Sequence, residues 1–220
     1  MSQVQETVRF PLDIPGYSVV RELGQGGMSR VYLARAERLG GAVALKILDV
    51  ERAGGLDARQ RFHREVETVQ RIRHPHVVRI LDVGTVQGDP YIAMEYLPLG
   101  LKEWIQGIQK GRSGQAAQAL IITAMLAEAL FCAHQKGIIH RDVKPENILF
   151  RETGEPVLCD FGIAKVMEGA HHLTRTGVLI GTPLYMSPEQ VRGGKVDTRS
   201  DLYSLGVVLY EMLVGHPPSR

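Results

Sequence analysis

The run His140-Arg141-Asp142-Val143-Lys144-Pro145-Glu146-Asn147 lies between two apolar pairs, Ile138-Ile139 and Ile148-Leu149. Burying the flanks would hold an acid, a base and an amide on one short loop. Asp142 has Lys144 two residues on and Asn147 five on, and a second acid, Asp160, follows the apolar segment Pro156–Cys159. Magnesium prefers carboxylate, carbonyl and phosphate oxygens and keeps several waters. Asp160 and Asn147 therefore suit a magnesium–nucleotide, leaving Asp142 to orient a hydroxyl nucleophile. Any one of these residues fits a solvated turn; their joint occurrence in this order is hard to reconcile with that reading.

Two upstream features have phosphate chemistry within reach. Gly24, Gly26 and Gly27 lie between strand-like segments, and missing side chains let backbone N–H groups approach phosphate oxygens. An ordinary glycine hairpin fits the same residues, and Ser29 stands where a G-x-G-x-x-G pattern has its last glycine. Lys46 sits in the middle of "VALKIL", where a solvent-facing edge lysine is the plain reading. Strand alternation puts Ala44 and Lys46 on one face and Val43, Leu45 and Ile47 on the other. In "LDARQRFHREVETVQRIR", Phe62, Val66, Val69 and Ile72 make a helical apolar stripe, and Glu65 falls on it. A carboxylate on a buried face needs a partner. A Lys46–Glu65 pair would meet both needs and hold the lysine ready for phosphate oxygens.

The elements that must position these groups change character along the chain. Residues 1–16 are a polar, proline-punctuated lead-in. "YSVVREL", "RVYLARA" and "AVALKILDV" then read as an antiparallel meander with glycine-bearing turns, and "VVRILDVG" and "PYIAMEYL" add two strands. Beyond Leu97 the pattern is helical. "QALIITAMLAEALFCAHQKG" keeps apolar spacing at Ile122, Met125, Leu126, Ala129, Leu130 and Ala133, with Gly137 as a stop. "PVLCDFG" reads as a short strand, and "DLYSLGVVLYEMLVG" as an apolar helix buried all round. The expected fold is α+β, with two lobes: residues 17–97 form a small antiparallel β-rich lobe with one helix, and 98–220 a mostly helical lobe. The hinge is expected near Glu95–Gly100.

Composition narrows the function class. With 44% hydrophobic and 23% charged residues the chain reads as a soluble globular protein, and a net charge of +2 supplies no basic field for nucleic acid. Its two cysteines, Cys132 and Cys159, each lie in an apolar segment and read as reduced, buried thiols of a cytoplasmic protein. No uninterrupted apolar run of about 18 residues points to a membrane span. "HPH" (His74, His76) and His171-His172 lack a cysteine or acidic partner at metal-ligand spacing.

Taken together, "LGQGGMSRVYLAR", "VALK", the helix carrying Glu65, "HRDVKPEN", "DFG", "GTPLYMSPEQ" and "DLYSLG" resemble the protein kinases of serine/threonine type. "GGMS" and "IGTPLYMSPEQ" are most similar to bacterial members of the eukaryotic-like (Hanks-type) kinases. The resemblance implies transfer of the ATP γ-phosphate to protein hydroxyls, with Mg²⁺, or Mn²⁺ in its place, as the metal. Gly24 and Gly26 would cover the phosphates, and Lys46, held by Glu65, would pair with the α and β phosphates. Leu23, Val31, Ala44 and Leu149 would sandwich adenine, and the Glu95–Leu97 backbone would bind it beside Met94. Asp142 would be the catalytic base, Lys144 would steady the γ-phosphate, and Asn147 and Asp160 would bind the metal. His140, Phe161 and Val69 would stack, and Asp201 would brace the backbone at His140 and Arg141. Thr174 and Thr176 resemble autophosphorylation sites whose phosphate pairs with Arg141, while Thr182 resembles a residue of the substrate loop.

Partners implied are protein substrates, with a kinase dimer as a further one, and no nucleic acid. Two departures stand out. "LPLGLKEWIQG" replaces the usual segment after the hinge, which bears on ribose contacts, and "EMLVGHPPSR" stops where such kinases continue with further helices and an arginine for Glu189. Reduced stability and aggregation through apolar surface are the expectation for a large lobe that ends early. The alternative function is a non-catalytic, kinase-like regulatory module.

Overall fold

A computed structural model describes residues 14–26, 29–51, 62, 66–67, 69–108, 115–161 and 183–218. The chain divides into two compact units: Met1–Phe62 with Arg79–Tyr96, and His63–Val78 with Leu97–Arg220.

The first unit is one antiparallel sheet of five strands, β1 (Tyr17–Gln25), β2 (Ser29–Ala36), β3 (Gly41–Leu48), β4 (Ile80–Val86) and β5 (Asp89–Glu95), in the order β1-β2-β3-β5-β4. Register sorts the side chains. Tyr32 pairs with Leu45 and Ala34 with Val43, and these join Ile14, Ile47, Tyr91 and Ala93 in the buried core. The alternate pairs, Val31 with Lys46 and Leu33 with Ala44, take the other face. The β4–β5 connection uses two residues, Gln87 (φ 51°) and Gly88 (φ 93°). Positive φ at both positions gives the turn that matches strand twist. At the opposite end the Tyr17 hydroxyl donates to Asp82 Oδ2 at 2.8 Å, joining the two edge strands β1 and β4.

In the second unit helical residues at 66–67 and 69–70 precede a segment that bridges Val77 to Leu158. Then come β6 (Leu99–Gly100), α1 (Leu101–Ile108), α2 (Gln115–His134), β7 (Ile148–Phe150), β8 (Pro156–Leu158), α3 (Pro188–Val191) and α4 (Thr198–Val214). Strands β6, β7 and β8 form a small sheet in that order. Helix α2 buries Ala119, Ile122, Leu126, Ala129, Leu130 and Ala133, with α4 and β8 as its packing partners. Each large apolar side chain so buried stabilises by roughly 1.5–3 kcal/mol. By length and composition α2, with a mean hydropathy of 1.8, is also apolar enough to cross a membrane. A search for uninterrupted apolar runs passes over it because Gln118, Thr123 and Glu128 break the run.

The expectation that the last helix is buried all round is corrected. Helix α4 buries Ser200, Asp201, Ser204, Leu205, Val207, Val208 and Met212. A stripe at Leu202, Tyr210 and Leu213 is exposed, with Leu202 at 53%. The helix packs through one side, so its small polar residues go inward while part of its apolar surface faces out. Asp197 caps its start by accepting from Arg199 N–H at 2.8 Å, and Gly215 (φ 90°) ends it.

Candidate active site

The polar loop of the second unit is built around one buried carboxylate. Asp201, 1% exposed in the first turn of α4, accepts the Arg141 N–H on Oδ1 and the His140 N–H on Oδ2, both at 2.8 Å. His134, the last residue of α2, donates its Nε2–H to Oδ2 at 2.7 Å. These bonds hold Arg141 at φ 66°, a left-handed conformation uncommon for a non-glycine residue. From α3, Gln190 Nε2 donates to the Arg141 carbonyl at 2.9 Å. The Arg141 Nε is buried and, among the described residues, has no hydrogen-bond partner.

His140 is fully buried, and that burial pushes its imidazole below the usual range. The neutral ring is used at both nitrogens: Nε2–H donates to the Cys159 carbonyl at 2.9 Å, and Nδ1 accepts the Asp142 N–H at 3.2 Å. The ring lies 4.6 Å from that of Phe161. One neutral imidazole thus ties the start of the loop to the segment that carries Asp160.

Asp142 comes next. Its Oδ2 accepts from Lys144 Nζ at 2.9 Å and from Asn147 Nδ2 at 3.0 Å. Asn147 Nδ2 also donates to the Asp142 carbonyl at 2.7 Å, so the amide nitrogen is committed and Oδ1 is the acceptor it presents. A 3₁₀ turn, Pro145–Asn147, sets this orientation, with proline pre-forming its first residue. The Cys159 N–H donates to the Asn147 carbonyl at 2.8 Å, which brings the Asp160 backbone (φ 56°) alongside Asn147. A carboxylate and a carboxamide oxygen on adjoining backbone are a hard-oxygen pair, and they fit a cation that takes its other ligands from phosphate and water.

The phosphate and adenine candidates lie in the first unit. Lys46 is 8% exposed and stands opposite Val31 in register, two residues from Ala44 on the same face. Gly24 pairs with Val31, and Met94 with Ala44. Leu23, Val31 and Ala44 are half-buried. Gly26 N–H donates to Ser29 O at 2.7 Å across the glycine turn. Glu95 accepts the Arg79 N–H at 2.9 Å and donates its own N–H to Arg79 O. Leu97 is buried in the second unit, and Leu149 on β7 pairs with Gly100. Glu65, Thr174, Thr176 and Thr182 lie outside the described residues, and so does the Lys46–Glu65 pair.

The sequence reading missed His134 and Gln190. His134 carries a usable signal, being a polar residue that continues the buried stripe four residues beyond Leu130. Gln190 carries none, since its partner Arg141 is 49 residues away. Glu189, for which the resemblance implied an arginine, accepts from the Ser200 hydroxyl.

Residues 17–220 match the family model for the protein kinase domain. The chain is 44% identical over 204 residues to the DNA damage-responsive serine/threonine-protein kinase RqkA of Deinococcus radiodurans, covering 92% of this chain and 30% of that protein. It is equally identical over 200 residues to the serine/threonine-protein kinase PknB of Mycobacterium leprae, covering 89% of this chain and 32% of PknB. The chain thus spans under a third of the length of these curated relatives. The crystal structure of the Mycobacterium tuberculosis PknI kinase domain superposes with a TM-score of 0.72 at 32% identity, covering 95% of this chain and 78% of that one. A domain of this kind works with ATP and a divalent metal ion. The chain belongs to the protein kinases, among the serine/threonine kinases of bacteria.

Proposed function

We propose that the chain transfers the γ-phosphoryl group of ATP to serine and threonine hydroxyls of proteins, with magnesium as its metal. The observation that carries the reading is the Asp142 carboxylate, fixed at Oδ2 by Lys144 and Asn147 on a loop pinned by a buried acid. A carboxylate so held can accept a hydrogen bond from a substrate hydroxyl and take its proton as the nucleophile forms. Lys144 would neutralise charge developing on the transferred group, and Lys46 would hold the remaining phosphates. Asn147 and Asp160 would hold the cation, which when bound would supply positive charge to offset the negative charge of the phosphates. Leu23, Val31, Ala44 and Leu149 supply apolar surface for adenine, with the backbone of Glu95–Leu97 as its hydrogen-bonding edge, and Gly24 and Gly26 a close backbone approach to phosphate. Cys132 and Cys159, neither of them in a disulfide, suit a reducing cytoplasm.

The test compares wild type with Asp142→Asn for phosphate incorporation from magnesium–ATP into a generic protein substrate. The substitution removes the base and keeps the shape, so kcat is expected to fall by about 10²–10⁴ with little change in the KM for ATP. Equal incorporation by both proteins overturns the assignment.

Regulation follows from Arg141. Its buried Nε, without a hydrogen-bond partner among the described residues, is a donor that suits an anion. We assign that anion to phosphate on Thr174 or Thr176, held by charge-assisted hydrogen bonds. Mass spectrometry of the active chain is expected to find phosphate on one of these threonines, and Thr174→Ala/Thr176→Ala to lower activity. Full activity in a chain unmodified at both positions defeats the idea.

A further inference from the structure

At the end of the first unit where Tyr17 reaches across to Asp82, the sheet carries an open, partly solvent-exposed cavity of about 480 Å³. None of the residues assigned to ATP, metal or phosphate lines it. Its walls include Tyr17, Tyr91, Leu81, Asp82, Glu37 and Arg38. The local structure explains how they converge. A register irregularity between Ile80 and Asp82 breaks the alternation of β4, so the consecutive residues Leu81 and Asp82 both face the cavity. Gly84 lies opposite Tyr91, and a Cβ there would come within 2.5 Å of the phenol ring, so glycine lets the ring lie across β4. The Tyr17 and Tyr91 rings meet edge to face with centroids 5.8 Å apart.

The charge pattern is what points to a ligand. Asp82 Oδ2 accepts from the Tyr17 hydroxyl at 2.8 Å and the Tyr91 hydroxyl at 3.5 Å, while Oδ1 accepts the adjacent Val83 N–H at 2.9 Å. Among the described residues Asp82 makes no ion pair. Its donors within the described residues are two phenols and one backbone N–H, all neutral, and the carboxylate is solvent-exposed. Glu37 adds a second carboxylate to the lining, against the single guanidinium of Arg38. We infer that this cavity binds a small organic cation bearing an ammonium or guanidinium group. Its N–H groups would be shared between the Asp82 carboxylate and the two phenol oxygens, and its charge would lie beside the tyrosine rings. The volume exceeds that of the cationic group alone and suits a molecule of metabolite size.

Agmatine, which carries both cationic groups, and spermidine are the probes, titrated against the 220-residue chain and followed by backbone amide NMR shifts and calorimetry. Saturable binding with shifts centred on Tyr17, Leu81, Asp82 and Tyr91 is expected, with the dicarboxylate glutarate inert. Asp82→Asn is expected to weaken binding at least about tenfold, in line with loss of a charged hydrogen-bond acceptor. Tyr17→Phe, which keeps the ring, is expected to weaken it less, and melting curves of both variants establish that the sheet still folds. No saturable shift in wild type up to about 10 mM, or unchanged affinity in a folded Asp82→Asn chain, overturns the inference. Sedimentation of wild type and Asp82→Asn at matched concentrations separates the source of the cation. Equal masses support a free molecule; a larger mass for wild type alone means that a neighbouring chain supplies the cation, and overturns the free ligand.

Discussion

His140 shows how much one side chain decides at the site. It is buried, it donates to Cys159 and it accepts from Asp142, and only the neutral imidazole performs both tasks. Its folded value lies below the ordinary 6.5, because burial disfavours the cation more than the carboxylates of Asp201, Asp142 and Asp160 favour it. The linkage has a definite sign. Between that depressed value and about 6.5 the unfolded chain binds a proton that the folded chain does not, so stability falls as the pH is lowered through this window. Above about pH 7 both states are neutral and the contribution is constant. Denaturant unfolding measured from pH 7.5 to 5 is expected to show this loss, and His140→Phe to flatten the part due to His140. A variant with the same slope as wild type contradicts the assignment of that slope to this ring. His140 and its neighbours Asp142, Lys144 and Asn147 were legible in the sequence, because their chemistry is concentrated in eight residues.

At the scale of elements, the loop carrying the candidate catalytic residues is held from outside itself. Helix α2 brings His134, α3 brings Gln190 and α4 brings Asp201, and all three end on the backbone or carboxylate that fixes His140 and Arg141. Asp201 is the central member: two backbone N–H groups and one imidazole N–H depend on it. Removing it leaves the two amides without acceptors, and each unmet group costs roughly 1–3 kcal/mol. Asp201→Ala is therefore expected to lower the unfolding free energy by about 2–5 kcal/mol and to lower kcat more than it alters the KM for ATP. Asp201→Asn keeps one acceptor and is expected to fall between. An alanine variant with wild-type stability and kcat rules out the clamp. This layer was only partly legible. Asp201 emerged through family resemblance, whereas Gln190 meets Arg141 through tertiary packing that no local pattern encodes. Strands β6 and β7 escaped the reading for another reason, since two or three residues are too few to show a period. The last helix was misjudged because hydrophobicity tells what can be buried, not which side a neighbour covers.

For the whole molecule, the sequence changes from period two to period 3.6 near Leu97, while the helical residues at 66–67 and 69–70, read with the β-rich lobe, fall in the second compact unit. The candidate nucleotide residues are divided between the two units: Lys46, Val31 and Ala44 in the sheet of one, Asn147, Leu149 and Asp160 in the loops of the other. A ligand that engages both sets must couple to the folding of both. A ligand that binds only the folded chain stabilises it by about 2.7 kcal/mol at a hundredfold excess over its Kd. For a chain of this size each kcal/mol moves the melting temperature by about 2–4 °C. Magnesium with a non-hydrolysable ATP analogue is thus expected to raise the Tm by roughly 5–10 °C, and the analogue without metal by less. Lys46→Ala is expected to reduce the shift and Asp160→Asn to remove its metal-dependent part. Asp142→Asn, which changes the base and not the ligands, is expected to retain the shift while losing turnover. That last contrast separates binding from catalysis. An unchanged Tm in wild type overturns the nucleotide assignment, and a lost shift in Asp142→Asn places that carboxylate among the ligands.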